Sequence, residues 1–320
     1  MSTKGAGDVD YEKQAIDILQ MLAGNSPFTI ADSGGKDSSV LTHIALKSGC
    51  KFKVQHCHTT VDAPETVYFI RRKFEKMRSM GIECEIRYPK ESMWQLIVRK
   101  GTPPTRKMRY CCSELKENHG IGEKLVTGVR KAESANRRKN QGVATFPKPK
   151  KNIKDLVDDE NFHLTDKGGV VVLNLDNDEN RRIVENCYRT QKVLINPLID
   201  WDDEYLQWYI KREEIELNPL YGCGWDRVGC IGCPMAGKHR YFEFERYPKY
   251  KQAYIRAFDK MLEVREAKGL KKMRGWENGK SVFRWWIDEK WDPDQMEIKD
   301  WLYEIGAITA EQYDDEHFIY

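Results

Sequence analysis

The stretch that decides the fold of this chain is Ser33-Gly34-Gly35-Lys36-Asp37-Ser38. Before it, residues 28–31 form a short apolar segment that predicts a buried strand. After it, a helical stripe of apolar residues ends at Gly49. Glycines between a strand and a helix let the backbone turn until several N–H groups point to one place, while the helix dipole and Lys36 add positive charge. The stretch therefore predicts a phosphate-binding loop.

The spacing of this loop is not that of the Walker motif, because the pattern G-x-x-x-x-G-K is absent from it. It resembles the PP-loop of the ATP pyrophosphatases, whose signature is S-G-G-x-D-S. This resemblance implies that the loop binds ATP, that the α-phosphate is attacked and that pyrophosphate is released. A chance glycine turn with a capping aspartate is the alternative, and six matched residues between a strand and a helix favour the phosphate loop.

The first half of the chain alternates between strand and helix patterns. Strands are predicted at residues 28–32, 52–57, 83–87, 124–127 and 192–195, and helices near residues 10–23, 37–48, 63–80, 91–100 and 201–214. This alternation predicts an α/β fold, a doubly wound parallel sheet with helices on both faces. Such sheets bind ligands at the carboxyl ends of their strands, where the predicted loop lies.

The composition changes twice along the chain. We predict a nucleotide-binding α/β domain over residues 1–200 and a helical C-terminal region, which holds a group of cysteines, over residues 201–320. Residues 139–190 interrupt the alternation, and we interpret them as an inserted loop or lid with a two-stranded element near residues 170–175. The aromatic residues of the C-terminal region indicate core packing more than a base-stacking platform.

The bulk composition excludes some classes of protein. The 320 residues carry a net charge of only +3, no apolar run approaches the length of a membrane span, and the polar N-terminus lacks the apolar segment of a signal peptide. We therefore expect a cytoplasmic protein without membrane contact. Basic residues between Arg130 and Lys151 suit either contact with nucleic acid or a solvated loop.

Nine cysteines in a chain expected to be reduced indicate metal or redox chemistry rather than disulfides. The clearest group is Cys223-x6-Cys230-x2-Cys233, followed by Pro234, with Cys112 of the Cys111-Cys112 pair as the proposed fourth ligand. Four thiolates suit zinc or an iron–sulfur cluster. A single C-x-x-C knuckle with distant single cysteines favours a [4Fe-4S] cluster, and zinc is the alternative.

The segment His56-Cys57-His58 ends a predicted strand near the loop. It suits a metal site or, as the favoured interpretation, the lining of an adenosine pocket. Just beyond it, Asp62, Pro64 and Glu65 predict the start of a helix, with Asp62 as its cap.

At a larger scale, the chain resembles the phosphoadenosine phosphosulfate (PAPS) reductase family of the PP-loop superfamily. Four segments carry the resemblance: Ser33–Ser38, Thr59–Thr66, Arg109–Lys116, and Gly128–Ser134 together with Arg137. Residues 218–234 also resemble relatives that carry a cluster. The resemblance implies an adenine nucleotide alpha-hydrolase-like fold. The residues that it implies for the nucleotide site are Ser33, Gly34, Gly35, Lys36, Asp37, Ser38, Thr59, Asp62, Gly128, Arg130, Ser134 and Arg137.

The family contains branches with different chemistry. Assimilatory reductases end in a tail with a reactive cysteine, whereas no cysteine follows Cys233 here. Reductases also tend to have degenerate phosphate loops, whereas this loop is intact. Both differences favour an ATP-using branch that resembles the ATP pyrophosphatase of DNA phosphorothioation and its relatives on phages and mobile elements.

From this resemblance we expect an ATP-dependent sulfurtransferase with an iron–sulfur cluster, acting on nucleic acid or a modified base. The expected catalytic residues are Lys36, Asp37, Arg130 and Cys111. Lys36 offsets phosphate charge, Asp37 caps the helix and helps to hold Mg²⁺, and Arg130 and Arg137 grip the acceptor or the leaving group. Cys111 is either a cluster ligand or a nucleophile.

Two other functions stay open at this point: a reductase of adenylyl sulfate or PAPS, and a nucleotide-binding regulatory module of a mobile element. The expected partners are a nucleotide and a sulfur donor, such as a cysteine desulfurase or a thioredoxin-like protein. The sequence leaves the acceptor and the oligomeric state undetermined.

Overall fold

The computed structural model describes residues 10–23, 27–106, 108–117, 124–133, 143–145, 162–164, 170–172, 193–270, 273 and 275–288. The chain forms two units. The first contains Met1–Lys90 and Tyr110–Cys230, and the second contains Glu91–Arg109 and Ile231–Tyr320. Each unit is thus built from two separate stretches of the sequence.

The first unit is organised around a six-stranded sheet. Its strands are β1 (Phe28–Ala31), β2 (Phe52–Cys57), β3 (Glu83–Arg87), β4 (Lys124–Val126), β5 (Ala144–Thr145) and β8 (Val193–Ile195). Their order across the sheet is β3-β2-β1-β4-β8-β5. Five of them pair in parallel, and β5 pairs antiparallel with β8 at the edge. The predicted parallel α/β sheet is confirmed, whereas the short edge strand β5 was not predicted.

The helices of the first unit are α1 (Tyr11–Ala23), α2 (Lys36–Ser48), α3 (Pro64–Ser79), α5 (Tyr110–Cys112) and α6 (Asp203–Arg212). The core is built by apolar side chains from the inner faces of α1 and α2 and from β1 and β2, including Leu19, Ile30, Leu41 and Val54, all fully buried. Helix α2 ends where Gly49 takes a left-handed conformation, at φ 70°. The loop at the start of α2 therefore rests on a packed core.

The first unit extends beyond the predicted domain boundary at residue 200. Trp201 and Tyr209 are buried in the same apolar core as the strands, and α6 packs against α2. Residues 201–230 thus belong to the first unit. The change in composition near residue 200 does not mark a structural boundary, because aromatic residues on both sides of it serve the same core.

Between β5 and β8, the structure describes two further strands, β6 (Phe162–Leu164) and β7 (Val170–Val172), which pair antiparallel. This is the two-stranded element that the sequence predicts near residue 170. The other residues between 146 and 192 are outside the described part of the chain, and so is most of the predicted lid.

The second unit is helical in its described parts. It contains α4 (Met93–Lys100), α7 (His239–Arg246), α8 (Pro248–Ala267) and α9 (Gly279–Asp288). Helix α8 packs against both α4 and α9. Its centre is an aromatic cluster in which Phe244, Tyr254 and Trp286 contact one another, with ring centroids 4.7–5.9 Å apart. Here, the aromatic residues of the C-terminal region serve core packing.

No helix among the described residues is both long and apolar enough to cross a membrane.

Candidate nucleotide-binding site

The loop between β1 and α2 turns at Gly34. Its φ of +76° lies in the left-handed region that favours glycine. A Cβ atom at this position would also lie only 3.1 Å from the side chain of Thr66 in α3. Both the conformation and the close contact therefore require glycine at the second position of the loop.

The amides at the start of α2 are presented to an oxygen acceptor. Gly35 is the N-cap residue, in an extended conformation and without a side chain that could cap the helix. The next N–H, that of Lys36, donates a hydrogen bond of 2.9 Å to the hydroxyl of Tyr221. Tyr221 lies in a 3₁₀ turn over Pro219–Cys223. Tyr221 is not among the residues that the sequence predicts for the nucleotide site. Oxygen acceptors at this end of a helix are also favoured by its dipole.

Asp32 stabilises the loop through hydrogen bonds to Gly34 and Ser38. Its carboxylate is buried and accepts hydrogen bonds from the N–H of Gly34 at 2.8 Å and the hydroxyl of Ser38 at 2.9 Å. The Lys73 ammonium of α3 lies 2.5 Å from the other oxygen. Burial by itself would raise the pKa of Asp32, but Lys73 and these hydrogen bonds outweigh burial and lower the pKa, so that the carboxylate stays ionised.

Arg130 is placed differently from its predicted role. The side chain is only 1 % exposed, and its guanidinium donates to Asp37 at 2.5 Å, to Asp203 at 2.7 Å and to the carbonyl of Trp201 at 3.1 Å. Burial acts to lower the pKa of Arg130, but Asp37 and Asp203 raise it overall. In this structure, Arg130 therefore holds Asp37 at the loop and the start of α6.

Because Gly128 has no side chain, the main chain that precedes Arg130 can approach the loop closely. A Cβ atom at Gly128 would lie 2.9 Å from the backbone carbon and oxygen of Asp37. Main-chain atoms at the start of α2 cannot move aside as a flexible side chain can. The two predicted residues Gly128 and Arg130 thus meet the loop through one residue, Asp37. The predicted site residues Ser134 and Arg137 are outside the described residues.

Thr59 and Asp62 form a tight turn beyond β2. The Asp62 carboxylate accepts from the N–H of Thr59 at 2.7 Å and from its hydroxyl at 2.8 Å. Between them Thr60 has a φ of 67°, which is strained for a β-branched residue. The prediction that Asp62 caps the following helix is wrong, since Ala63 is the N-cap of α3 and no side chain caps it. The Asp62 carboxylate is used within the turn instead.

Two histidines converge on this turn. His58 Nδ1 lies 3.1 Å from Asp62 Oδ2, and His56 Nδ1 donates to the carbonyl oxygen of Asp32 at 2.7 Å. Burial acts to raise the pKa of Asp62, but the bonds from His58 and Thr59 lower it to about 2. Burial lowers the pKa of His56, only partly opposed by Asp62. This turn therefore combines an ionised carboxylate with a neutral buried imidazole.

The cysteine segment reaches the same turn through Cys230. Its backbone forms an isolated antiparallel bridge with Asp62, and its thiol lies 3.3 Å from the hydroxyl of Thr59. Cys111 is buried, Cys112 is half-buried and Cys223 is exposed. Cys233 belongs to the second unit. Thr59 and Asp62 therefore contact one of the predicted cluster ligands, Cys230.

The donor chemistry of these cysteines suits the predicted cluster. Among the described residues, His56, His58 and Asp62 are the group whose ligand atoms lie within 4.8 Å of one another. That spacing is the one expected for a single ion and does not apply to a [4Fe-4S] cluster, whose ligand sulfurs are bound to different irons and lie farther apart. The assignment of a [4Fe-4S] cluster or zinc to the cysteines stays a prediction, and no step below depends on it.

A parallel sheet with a glycine-rich loop after its first strand defines an α/β protein of the nucleotide-binding class. Residues 27–236 match the model of the phosphoadenosine phosphosulfate reductase domain, and the chain belongs to this family. The family is one of nucleotide-binding, sulfur-related enzymes.

Individual relatives are more distant. An uncharacterized protein of Methanocaldococcus jannaschii is 27% identical over 70% of this chain, which spans only 40% of that protein's length. An adenosine 5'-phosphosulfate reductase of Sinorhizobium fredii is 44% identical over 46 residues, which are 14% of this chain and 18% of the reductase. The crystal structure of PAPS reductase from Candida auris, in a phosphate complex, aligns with a TM-score of 0.42 and 15% identity, over 72% of this chain and 98% of that one.

Proposed function

We propose that this chain binds ATP at the loop Ser33–Ser38 and activates an acceptor by adenylylation, with release of pyrophosphate. One observation carries the proposal: the N–H of Lys36, at an N-terminus that its own cap residue leaves open, already donates to an oxygen, the hydroxyl of Tyr221. A phosphate oxygen is a stronger acceptor of the same geometry, because it is charged. Membership of the family supports a nucleotide as the ligand.

The residues of the loop have distinct roles in this proposal. Gly34 and Gly35 let the backbone approach the phosphates closely, and Lys36 offsets their charge. An oxygen of the acceptor attacks the α-phosphorus, the bond from this phosphorus to the bridging oxygen breaks, and pyrophosphate leaves with the electron pair. Catalysis then depends mainly on positioning and on charge stabilisation.

Asp37 is the carboxylate that we propose to help hold Mg²⁺. It is 21% exposed and held by Arg130. Magnesium binds few protein carboxylates and takes other oxygens from water and from substrate phosphates, so one fixed carboxylate fits its needs. When bound, the ion would neutralise charge on the phosphates. Arg130 is a positioning residue here, since it acts through Asp37.

The finer proposal is a sulfurtransferase. Sulfur supplied by a donor protein, such as a cysteine desulfurase or a thioredoxin-like protein, would attack the adenylated centre of the acceptor, and AMP would leave. Cys111 is the proposed nucleophile or ligand on this chain, and Cys112, Cys223, Cys230 and Cys233 are the proposed ligands of a [4Fe-4S] cluster, with zinc as the alternative. Brown colour in protein purified without oxygen would support the cluster, and a colourless, zinc-loaded protein would contradict it.

The adenylation step is tested by incubating the purified chain with ATP, Mg²⁺ and a series of acceptors. The expected products are pyrophosphate and the adenylated acceptor. Lys36→Ala should abolish their formation, whereas Lys51→Ala, which removes an exposed lysine outside the loop, should not. Release of orthophosphate alone, or no release with any acceptor, would contradict the proposal.

A second function is favoured by the identity shared with the Sinorhizobium fredii reductase over 46 residues. In that case the chain would reduce adenylyl sulfate or PAPS with a thiol donor, and it would release sulfite without consuming ATP. Sulfite measured with each sulfated nucleotide distinguishes this function from adenylylation in one assay.

A further inference from the structure

The end of β2 and the turn that follows it bring together two imidazoles and a carboxylate. A ring nitrogen from each of His56 and His58 and an oxygen of Asp62 lie within 4.8 Å of one another. We propose that these three residues bind a divalent first-row transition-metal ion. The site uses none of the thiolate ligands predicted from the sequence and no residue of the phosphate loop Ser33–Ser38, and it does not depend on the proposed reaction.

The strongest support comes from a buried nitrogen. His56 is only 4% exposed, and among the described residues its Nε2 has no hydrogen-bond partner. Buried polar nitrogens are nearly always paired, so an unpaired one in a native site points to a missing ligand. A metal ion bound at the Nε2 lone pair would satisfy this atom.

The hydrogen bond on the other side of the His56 ring favours the same conclusion. Nδ1 lies 2.7 Å from the carbonyl oxygen of Asp32, and a carbonyl can only accept, so Nδ1 carries the proton. The neutral ring then has its lone pair on Nε2. Histidines that bind metals are typically oriented in this way, with the second nitrogen donating to a backbone carbonyl or a carboxylate.

Asp62 and His58 complete a set of ligands that is already held in place. Thr59 fixes the Asp62 carboxylate with two hydrogen bonds, and His58 Nδ1 lies 3.1 Å from it. A simple ion pair between His58 and Asp62 would explain these two residues, but it would leave His56 Nε2 without a partner. The His58 side chain is 22% exposed, which gives an ion a path from solvent.

The donor set selects the kind of metal. Two imidazoles and one carboxylate suit Zn²⁺, Fe²⁺ or Co²⁺, whereas Mg²⁺ and Ca²⁺ prefer oxygen ligands alone. Three protein ligands also leave coordination positions open, as in catalytic zinc sites and non-haem iron sites. Lys116 contributes positive charge near Asp62, so the ion must compete with this ammonium for the carboxylate.

Cobalt is the probe for the test, because its visible spectrum reports its ligands. The chain of 320 residues, freed of metal with a chelator, is titrated with Co²⁺ in the absence of nucleotide. We expect one equivalent to bind with visible d–d bands and without the intense near-ultraviolet charge-transfer band of thiolate ligands, whereas a further equivalent on the proposed cysteine ligands would carry that band. A tenfold excess of Mg²⁺ should not displace it, whereas Zn²⁺ should.

Variants locate the site. His56→Gln and His58→Gln should each weaken Co²⁺ binding more than about 100-fold, beyond the 10–100-fold typical for outer-shell partners. His43→Gln, which changes a histidine bound to Tyr209 elsewhere in the first unit, should not weaken it. Circular dichroism and thermal melting check that each variant folds. Because His58 is partly exposed, its substitution is expected to disturb the fold less than substitution of the buried His56.

Three results would overturn the proposal: no Co²⁺ binding by the unmodified chain, the same binding in both histidine variants, or binding in which every equivalent has a thiolate charge-transfer band. The last result would place the ion on the cysteines. Because no nucleotide is present, a failure here says nothing against adenylylation, and a failure to release pyrophosphate says nothing against the metal site.

Discussion

The hydroxyl of Tyr221 accepts a hydrogen bond of 2.9 Å from the backbone N–H of Lys36, although 185 positions separate the two residues. Without a ligand, this bond satisfies an amide at the open end of α2. We expect Tyr221→Phe to lower the free energy of unfolding by about 1 kcal/mol in the absence of nucleotide, the usual contribution of one such bond. Urea denaturation measures the change.

The same variant reports whether phosphate uses this amide. With saturating ATP the loss should become smaller, because a phosphate oxygen then supplies the acceptor. Tyr68→Phe, at a tyrosine that is 69% exposed, serves as the control and should change stability little with or without ATP. An undiminished loss at saturating ATP would mean that the nucleotide does not contact the amide of Lys36.

Arg130 makes a second testable contribution to the loop. Arg130→Met removes the guanidinium that holds Asp37 and Asp203 and leaves the partly buried Asp37 unpaired. We expect a loss of about 2–4 kcal/mol in the free energy of unfolding, somewhat below the range for a fully buried pair because Asp37 retains some contact with water. Chemical denaturation measures it.

The neighbouring residue provides the comparison. Lys131 forms an exposed ion pair with Asp200 at 3.0 Å, so Lys131→Met should cost only about 0–1 kcal/mol. Equal losses for the two variants would contradict the view that Arg130 has a special structural role at the loop.

Gly128 should tolerate no side chain. Gly128→Ala would place a methyl group 2.9 Å from the backbone of Asp37, and we expect a loss of about 1–3 kcal/mol in the free energy of unfolding. Weaker ATP binding should accompany it, because the start of α2 must shift. Denaturation and equilibrium nucleotide binding measure the two effects.

Replacing a second glycine, one with free space around it, shows whether the loss of stability comes from a steric clash or from any glycine-to-alanine substitution. A Cβ atom at Gly222 would meet nothing within 4 Å, and Gly222 has no left-handed φ. Gly222→Ala should therefore leave stability within about 0.5 kcal/mol of the unmodified chain. If Gly128→Ala behaved in the same way, the close approach to Asp37 would not matter.

Glu12 predicts a dependence of stability on pH. Its carboxylate lies 2.5 Å from the Lys47 ammonium and also contacts Arg212, which connects α1 to α2 and α6. Burial raises the pKa of Glu12, but these two cations lower it overall below 4.5. Because the folded pKa is lowered, the stabilisation is complete above the unfolded value and is lost as the pH falls through the folded one.

We therefore expect Glu12→Gln to cost about 1 kcal/mol at neutral pH, and this difference from the unmodified chain to shrink as the pH falls below 4.5. Urea denaturation at a series of pH values measures it. Glu75→Gln, at an exposed position of α3, should have little effect at any pH. A difference for Glu12→Gln that stayed constant down to acid pH would rule out the ion pairs as its cause.

The sheet could be predicted from the sequence because its signals are local. Strands β1 and β8 are mostly apolar, β2 and β3 alternate polar and apolar residues, and the loop at Gly34 and Gly35 carries its own glycines. Edge strand β5 has only two residues and depends on pairing with β8, so no local pattern predicts it.

The contacts that support the site could not be predicted, because they depend on tertiary placement. Lys73 lies on the face of α3 that packs against Asp32. Because a lysine in a helix is ordinarily exposed to solvent, the sequence alone does not indicate this ion pair. Asp62 has the local signature of a helix cap, yet the strained turn at Thr60 directs it to Thr59 and His58. The sequence marks Arg130 as a ligand contact, and only the fold pairs it with Asp37.

The division of the second unit between Glu91–Arg109 and Ile231–Tyr320 has a consequence for biosynthesis. Helix α4 leaves the ribosome long before its packing partner α8 is made, so its apolar residues Met93, Leu96 and Ile97 stay uncovered while the intervening chain is translated. Such exposure attracts chaperones and promotes aggregation of nascent chains. A polypeptide that ended at Cys230 would lack α8, and the apolar residues of α4 would then stay exposed permanently.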